Sequence, residues 1–214
     1  IRFSTSNPQD MSLDVIKVMS KYENICNYIH LPVQSGSNKV LKAMNRQHTR
    51  EEYIKLVENI FQIIPDCSIS HDMISGFPNE SEKDHNDTLS LMEKVKYSFG
   101  YMFKYSERPG TLAAKKLEDN IDEETKSRRL SEIFELQQKH SLYRSKEFVG
   151  KTVEVLIEKE SKKSNLHWAG RNQQNTTVVF PKENYNIGDF VNVKINSCTS
   201  ATLIGEAIDF SKNN

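Results

Sequence analysis

The spacing of apolar residues changes once along the chain. From Ile1 to Glu147 short β-rich runs alternate with stretches in which apolar residues recur every three or four positions, the period of one helix face. Ile1 to Thr5 reads as a strand, and Met11 to Tyr22 as a helix with Met11, Val15 and Met19 on one face behind Asp10 as N-cap. Asn27 to Val33 is the next strand. Ser37 caps a short helix carrying Val40, Leu41 and Met44, and Thr49 with Glu52 forms a capping box for a longer one that Pro65 stops. Cys67 to Ile74 and Phe99 to Lys104 are strands, with a helix from Ser81 through Val95 between them. Asp122 starts a long charged helix with Leu130, Ile133, Phe134 and Gln137 on its inner side. Strands alternating with helices imply βαβ units and a parallel sheet, and four units are too few to close a barrel.

From Phe148 the period is two: Val153, Val155 and Ile157, then Val178 and Phe180, then Val191, Val193 and Ile195, then Leu203 and Ile208, with glycines between the runs. This is the pattern of a small all-β barrel of OB-like size. The predicted organisation is an α/β unit over residues 1–147 and a β module over 148–214.

Composition narrows the function classes. With 36% hydrophobic residues and a mean hydropathy of −0.64, both units have material for a core, which excludes a disordered chain. No apolar run approaches the roughly 20 residues that span a bilayer, and no leader pattern opens the chain, so a membrane partner is not expected. The 29 basic and 29 acidic side chains balance, which removes the argument for a naked polyanion-binding tail. Cys26, Cys67 and Cys198 lie far apart and form neither a metal-ligand pair nor a disulfide framework, so no metal site and a reducing, cytoplasmic setting are expected. His30 and His71 fall inside predicted strands and read as packed or edge positions.

Polar, glycine-bearing motifs follow each predicted strand: Ser4 to Pro8, Pro32 to Ser37, Ile74 to Glu80, and Tyr105 to Thr111. In parallel α/β architectures the carboxyl ends of the strands form the ligand-binding face, so four such loops on one rim define a cleft.

These loops also carry a family resemblance. His30-Leu31-Pro32-Val33-Gln34-Ser35-Gly36-Ser37, followed by Val40-Leu41 and Met44-Asn45-Arg46, is similar to the signature of the MiaB-type radical S-adenosylmethionine methylthiotransferases that modify tRNA. Asp72 to Glu80 and Tyr105 to Ala114 resemble later signatures of the same family, with Asn79 where it usually shows Gly. Gly170-Arg171, Asn175 and Val178 to Phe180 resemble its TRAM domain.

The resemblance implies the C-terminal part of a radical-SAM (β/α)6 partial TIM barrel followed by an RNA-binding TRAM domain. It implies S-adenosyl-L-methionine as cofactor and two iron–sulfur clusters, [4Fe-4S], in the intact protein, one in an N-terminal domain and one in the barrel, the latter held by a CxxxCxxC motif that these 214 residues do not contain. In the intact enzyme the reduced cluster would cleave the cofactor to a 5′-deoxyadenosyl radical, which abstracts hydrogen from C2 of isopentenyl-modified adenosine beside the anticodon; sulfur and a methyl group then give the 2-methylthio product. Carried onto this sequence, Gln34, Ser35, Asp72, Ile74, Gly76 and Tyr105 would face the cofactor. Arg46, Arg108, Lys151, Trp168 and Arg171 would meet RNA, with Trp168 as a stacking platform among basic residues. No catalytic acid or base is assigned. The implied partners are the tRNA anticodon stem-loop and a reductant for the cluster, with the protein acting as a monomer. Two alternatives stay open: an RNA-binding chain without catalysis, and a related methylthiotransferase acting on threonylcarbamoyladenosine or on a ribosomal protein.

Overall fold

A computed structural model describes residues 1–2 and 7–208. The strand expected over Ile1 to Thr5 falls mainly outside the described residues. Helix α1 (Leu13–Lys21) starts later than expected: Ser12, not Asp10, is the cap, its hydroxyl accepting from Val15 N–H. Asp10 is instead drawn into a turn by its own amide bond to Asn7 O. Ile16 and Met19 are the buried residues of α1, while Val15, expected on the inner face, is 42% exposed.

Strand β1 (Tyr28–His30) pairs in parallel with β2 (Ser68–Ser75), and β2 with β3 (Phe99–Lys104). The expected strand to Val33 stops early because Pro32 has no N–H for the ladder. Pairing resumes where Gln34, at φ 74°, donates to Asp72 O and accepts from Ile74 N–H. Helices α2 (Asn38–Ala43), α3 (Arg50–Ile63) and α4 (Glu82–Val95) begin at Ser37, Thr49 and Ser81, the last two with complete capping boxes. They pack Leu31, Val33, Tyr53, Ile60, Ile69, Met73 and Leu91 into one core on the outer side of the sheet.

The short helix α5 (Leu112–Lys116), capped by Thr111, was not expected. Helix α6 (Glu123–Lys146) begins behind Asp122 as expected, but its inner face is different. Ile133 and Gln137 are buried, whereas Phe134 is 50% exposed and Leu130 only half-buried. The remaining buried positions are Lys126, Arg129, His140, Ser141 and Ser145. This helix docks through paired polar groups. Gln137 Oε1 accepts from His71 Nε2 (2.8 Å), and its Nε2 donates to Tyr97 O (3.0 Å). Gly100 makes room for that contact, since a Cβ there would stand 2.2 Å from His71 Nε2.

Strands β4 (Thr152–Ser161), β5 (Ser164–Arg171), β6 (Thr177–Pro181), β7 (Phe190–Cys198) and β8 (Thr202–Ala207) close a barrel in the order β4-β5-β6-β8-β7. Among the barrel's described strand pairs only β6 and β8 run in parallel. Strand β5 escapes the period-two reading because Gly170 takes one inward position, Leu166, two before Trp168, is exposed, and Ala169 between Trp168 and Gly170 is buried as well. The barrel sits at the amino ends of the sheet strands. Arg2 donates to Asn172 O at 2.7 Å, Gln174 to Asp66 at 2.7 Å, and Asn27 to the same carboxylate at 3.0 Å.

Candidate active-site rim and nucleic-acid interface

The carboxyl ends of β1, β2 and β3 point away from the barrel, and the motif loops Pro32 to Ser37, Ile74 to Glu80 and Tyr105 to Thr111 leave the sheet there, whereas the Ser4 to Pro8 motif falls mainly outside the described residues. After Gln34 the chain passes through Ser35, Gly36 and Ser37 into α2. Ser35 is fully buried. Its hydroxyl accepts from Ser37 N–H at 3.2 Å and lies 3.3 Å from the Thr88 hydroxyl, which in turn accepts from Gly36 N–H at 2.9 Å. Ser35 therefore fastens the loop to α4. Gln34 differs: its side-chain amide has no hydrogen bond among the described residues, although only 7% of the residue is exposed.

The loop after β2 is held from α6. Gly76 has φ +72°, and a Cβ there would stand 2.3 Å from Lys126 Cγ. Its N–H donates to Glu80 Oε2 at 2.8 Å, and the same oxygen accepts from Arg129 Nη1 at 2.8 Å. Burial pushes the Glu80 carboxyl above its ordinary value, against the pull of Gly76 N–H and Arg129. Asn79 takes φ 63°, so it adopts the left-handed conformation that a Gly would favour. Phe77 packs edge-on to Tyr105 at 5.0 Å, and Lys126 Nζ lies 5.8 Å from the Tyr105 ring. The structure thus gathers Gln34, Gly76 and Tyr105 on the rim, with Ile74 half-buried one step inside.

Deeper on the inner face, side chains form a connected polar row. The Tyr28 and Ser70 hydroxyls are 2.7 Å apart, His30 Nδ1 lies 2.8 Å from Ser70 Oγ, and His30 Nε2 lies 3.3 Å from Asp72 Oδ1. Reading His30 as a packed strand residue placed it in the right element but missed its contact with Asp72. The signal lay in the i, i+2 spacing of Tyr28 with His30 and of Ser70 with Asp72. On the outer side, burial lowers the His71 pKa to about 4 and raises the Cys67 thiol to about 12.

The expected RNA residues divide. Arg46 is half-buried and Arg108 exposed, and neither guanidinium has a hydrogen bond or ion pair among the described residues. Lys151 is exposed on the barrel, with Nζ 5.9 Å from the Phe148 ring. Arg171 holds the β5–β6 turn, donating to Asn175 Oδ1 at 3.0 Å and facing Glu158 at 3.4 Å. Trp168 must be corrected. It is 7% exposed, belongs to the barrel core with Val155, Phe180 and Leu203, and has Lys182 Nζ 4.4 Å from its ring. An inward position on a closed barrel leaves no ring face for a base.

Comparison with known proteins agrees with this architecture. A family model for the radical SAM superfamily matches residues 1–92, and one for the TRAM domain matches residues 146–208. Coproporphyrinogen III oxidase (HemN) from Escherichia coli, described as a radical SAM enzyme, shares the fold with a TM-score of 0.55 at 15% identity, over 79% of this chain and 45% of that one. The molecule is therefore a radical-SAM partial barrel joined to a TRAM barrel. Its sequence is 71% identical over all 214 residues to the tRNA-2-methylthio-N(6)-dimethylallyladenosine synthase of Christiangramia forsetii, and 68% identical to that of Flavobacterium johnsoniae, covering 44% of each. Over its whole length the chain is similar to these tRNA-modifying synthases, and it spans under half the length of the curated relatives it matches.

Proposed function

We propose that this chain serves the 2-methylthiolation of N6-dimethylallyladenosine next to the tRNA anticodon. The observation that carries the reading is the 71% identity maintained across both the α/β unit and the barrel. S-adenosyl-L-methionine, with [4Fe-4S] clusters as electron and sulfur partners, supplies the radical and methyl-transfer chemistry when bound.

The rim fits the nucleoside and amino-acid parts of that cofactor. Gln34 brings an unpartnered amide, Ile74 an apolar surface for a base, the Gly76 loop a backbone held rigid by Glu80 and Arg129, and Tyr105 a ring. Ser35 acts by holding the Gln34 loop in place. The described residues do not fit a cluster: no three His, Cys, Asp or Glu side chains among them converge to hold a metal, and the buried Cys67 thiol stays protonated at neutral pH. The exposed cations of the barrel, Lys151 among them, and the unpaired Arg46 and Arg108 supply phosphate contacts for the RNA. No described helix is long and apolar enough to cross a membrane. Work as a monomer in the cytoplasm with an external reductant completes the reading.

Nucleoside mass spectrometry of tRNA tests it. Disruption of the gene should abolish the 2-methylthio group while leaving dimethylallyladenosine, and restoring the intact gene should return it. Unchanged modification in the disrupted strain overturns the proposal.

A further inference from the structure

The inner face of the sheet carries more than the rim uses. Along β3, Phe99, Tyr101, Phe103 and, just beyond it, Tyr105 recur every second residue and so share one face, with neighbours about 6.6 Å apart. Two of these rings are already covered. Phe99 stacks on Tyr28 at 5.9 Å and 7°, and Tyr105 packs on Phe77 at 5.0 Å. The two between them keep open surface, Tyr101 at 55% and Phe103 at 53% exposure, although the Tyr101 ring stands nearly perpendicular to those of Phe99 and His30 at 5.8 and 6.0 Å.

Asp72 is the register partner of Tyr101 on the adjacent strand. Its Oδ1 is fixed by His30, which Ser70 and Tyr28 hold in turn. Its Oδ2 has no partner among the described residues, and the side chain keeps 27% exposure. An open aromatic face beside a fixed carboxylate oxygen suits a planar group with an N–H edge. It repels a phosphate. The phosphates flanking such a group have cations available at the rim in Arg46 and Arg108.

Tyr101 also lines a cleft of about 400 Å³ that follows the free edge of β3 down to Asn175, Thr176 and Ser200 of the barrel. The aromatic row therefore runs continuously from the TRAM barrel toward the rim.

We infer that Tyr101 and Asp72 form a subsite for an unpaired nucleobase of the bound RNA, with Tyr101 stacking on the base and Asp72, oriented by His30, accepting from its amino or imino edge. This rests on the RNA reading above and goes beyond it, because it removes Asp72 from the cofactor set and assigns it to the RNA.

Two probes separate the cases with the full 214-residue chain: an anticodon stem-loop RNA carrying 2-aminopurine in its loop, and S-adenosylmethionine alone. Tyr101→Ala should weaken binding of the stem-loop about tenfold and restore 2-aminopurine fluorescence, while Tyr101→Phe binds like the wild type. Asp72→Asn should weaken the 2-aminopurine loop, but not a loop carrying unsubstituted purine, which lacks the amino donor. Neither change should alter binding of S-adenosylmethionine. If Tyr101→Ala and Asp72→Asn bind RNA like the wild type while Lys151→Ala weakens it, the RNA reading survives and the subsite is overturned. Loss of S-adenosylmethionine binding with RNA binding intact also overturns it. No RNA binding by the wild-type chain removes the interface reading and the subsite together.

Discussion

Replacing Arg129 by Met tests whether α6 sets the conformation of the Gly76 loop. The Glu80–Arg129 pair is sealed, with 1% and 5% of the side chains exposed. Besides its 2.8 Å bond to Glu80 Oε2, the guanidinium donates to Glu80 O at 3.0 Å. Met keeps the apolar stem that fills the site and removes the charge. What remains is a buried carboxylate with Gly76 N–H as its donor. Removing one partner of a buried pair costs about 3–5 kcal/mol.

Protonation limits that cost, and its sign can be worked out. The folded-state pKa of Glu80 lies above its ordinary 4.5, so the folded chain holds this proton more tightly than the unfolded chain. The group's contribution to stability is therefore greatest below 4.5 and falls as pH rises through the interval up to the folded value. Without Arg129 the folded value rises further and the interval widens upward. The variant should then be most destabilised near pH 7.5 and recover on acidification by up to about 1.4 kcal/mol per pH unit within the interval. Urea melts followed by far-UV circular dichroism measure this, while Trp168 fluorescence follows the barrel separately. At pH 7.5 the helical transition should move down by about 1–2 M urea, with the barrel transition in place. A midpoint within about 0.3 M of the wild type, or a loss that does not shrink at pH 5, refutes the reasoning.

Other changes address neighbouring features. Gly76→Ala should lower stability by about 1–3 kcal/mol in the same melts, since it meets both a left-handed backbone and the Lys126 stem. His71, held neutral by burial with a pKa of about 4, stabilises the fold above the unfolded value of 6.5; that contribution should be lost at roughly 1.4 kcal/mol per pH unit between 6.5 and 4, and His71→Gln should flatten this limb. Trp168 emission should be blue-shifted, poorly quenched by acrylamide and unchanged by saturating RNA; quenching by RNA would return the ring to the interface.

What could be read from the sequence was local. Ser37, Thr49 and Ser81 announce their helices because the cap and the amide it satisfies lie within four residues. The β-module alternation of Val153 to Ile157 and Val191 to Ile195 is legible because one barrel face is buried. Helix α6 was misread because the rule that the inner face is apolar fails there. Lys126, Arg129, Gln137 and His140 are buried against Asp119, Glu80, His71 and Glu93, and apart from Asp119 those partners belong to β2, α4 and the loop between them, far away in sequence. No periodicity within α6 can show such pairs. The same cause hid the contact between Asp72 and His30, which the parallel register sets side by side. A hydrophobic α6 would have docked with looser specification of rotation and register. Bonds that must each find one donor and one acceptor fix the helix, and through Glu80 they fix the rim loop that follows β2.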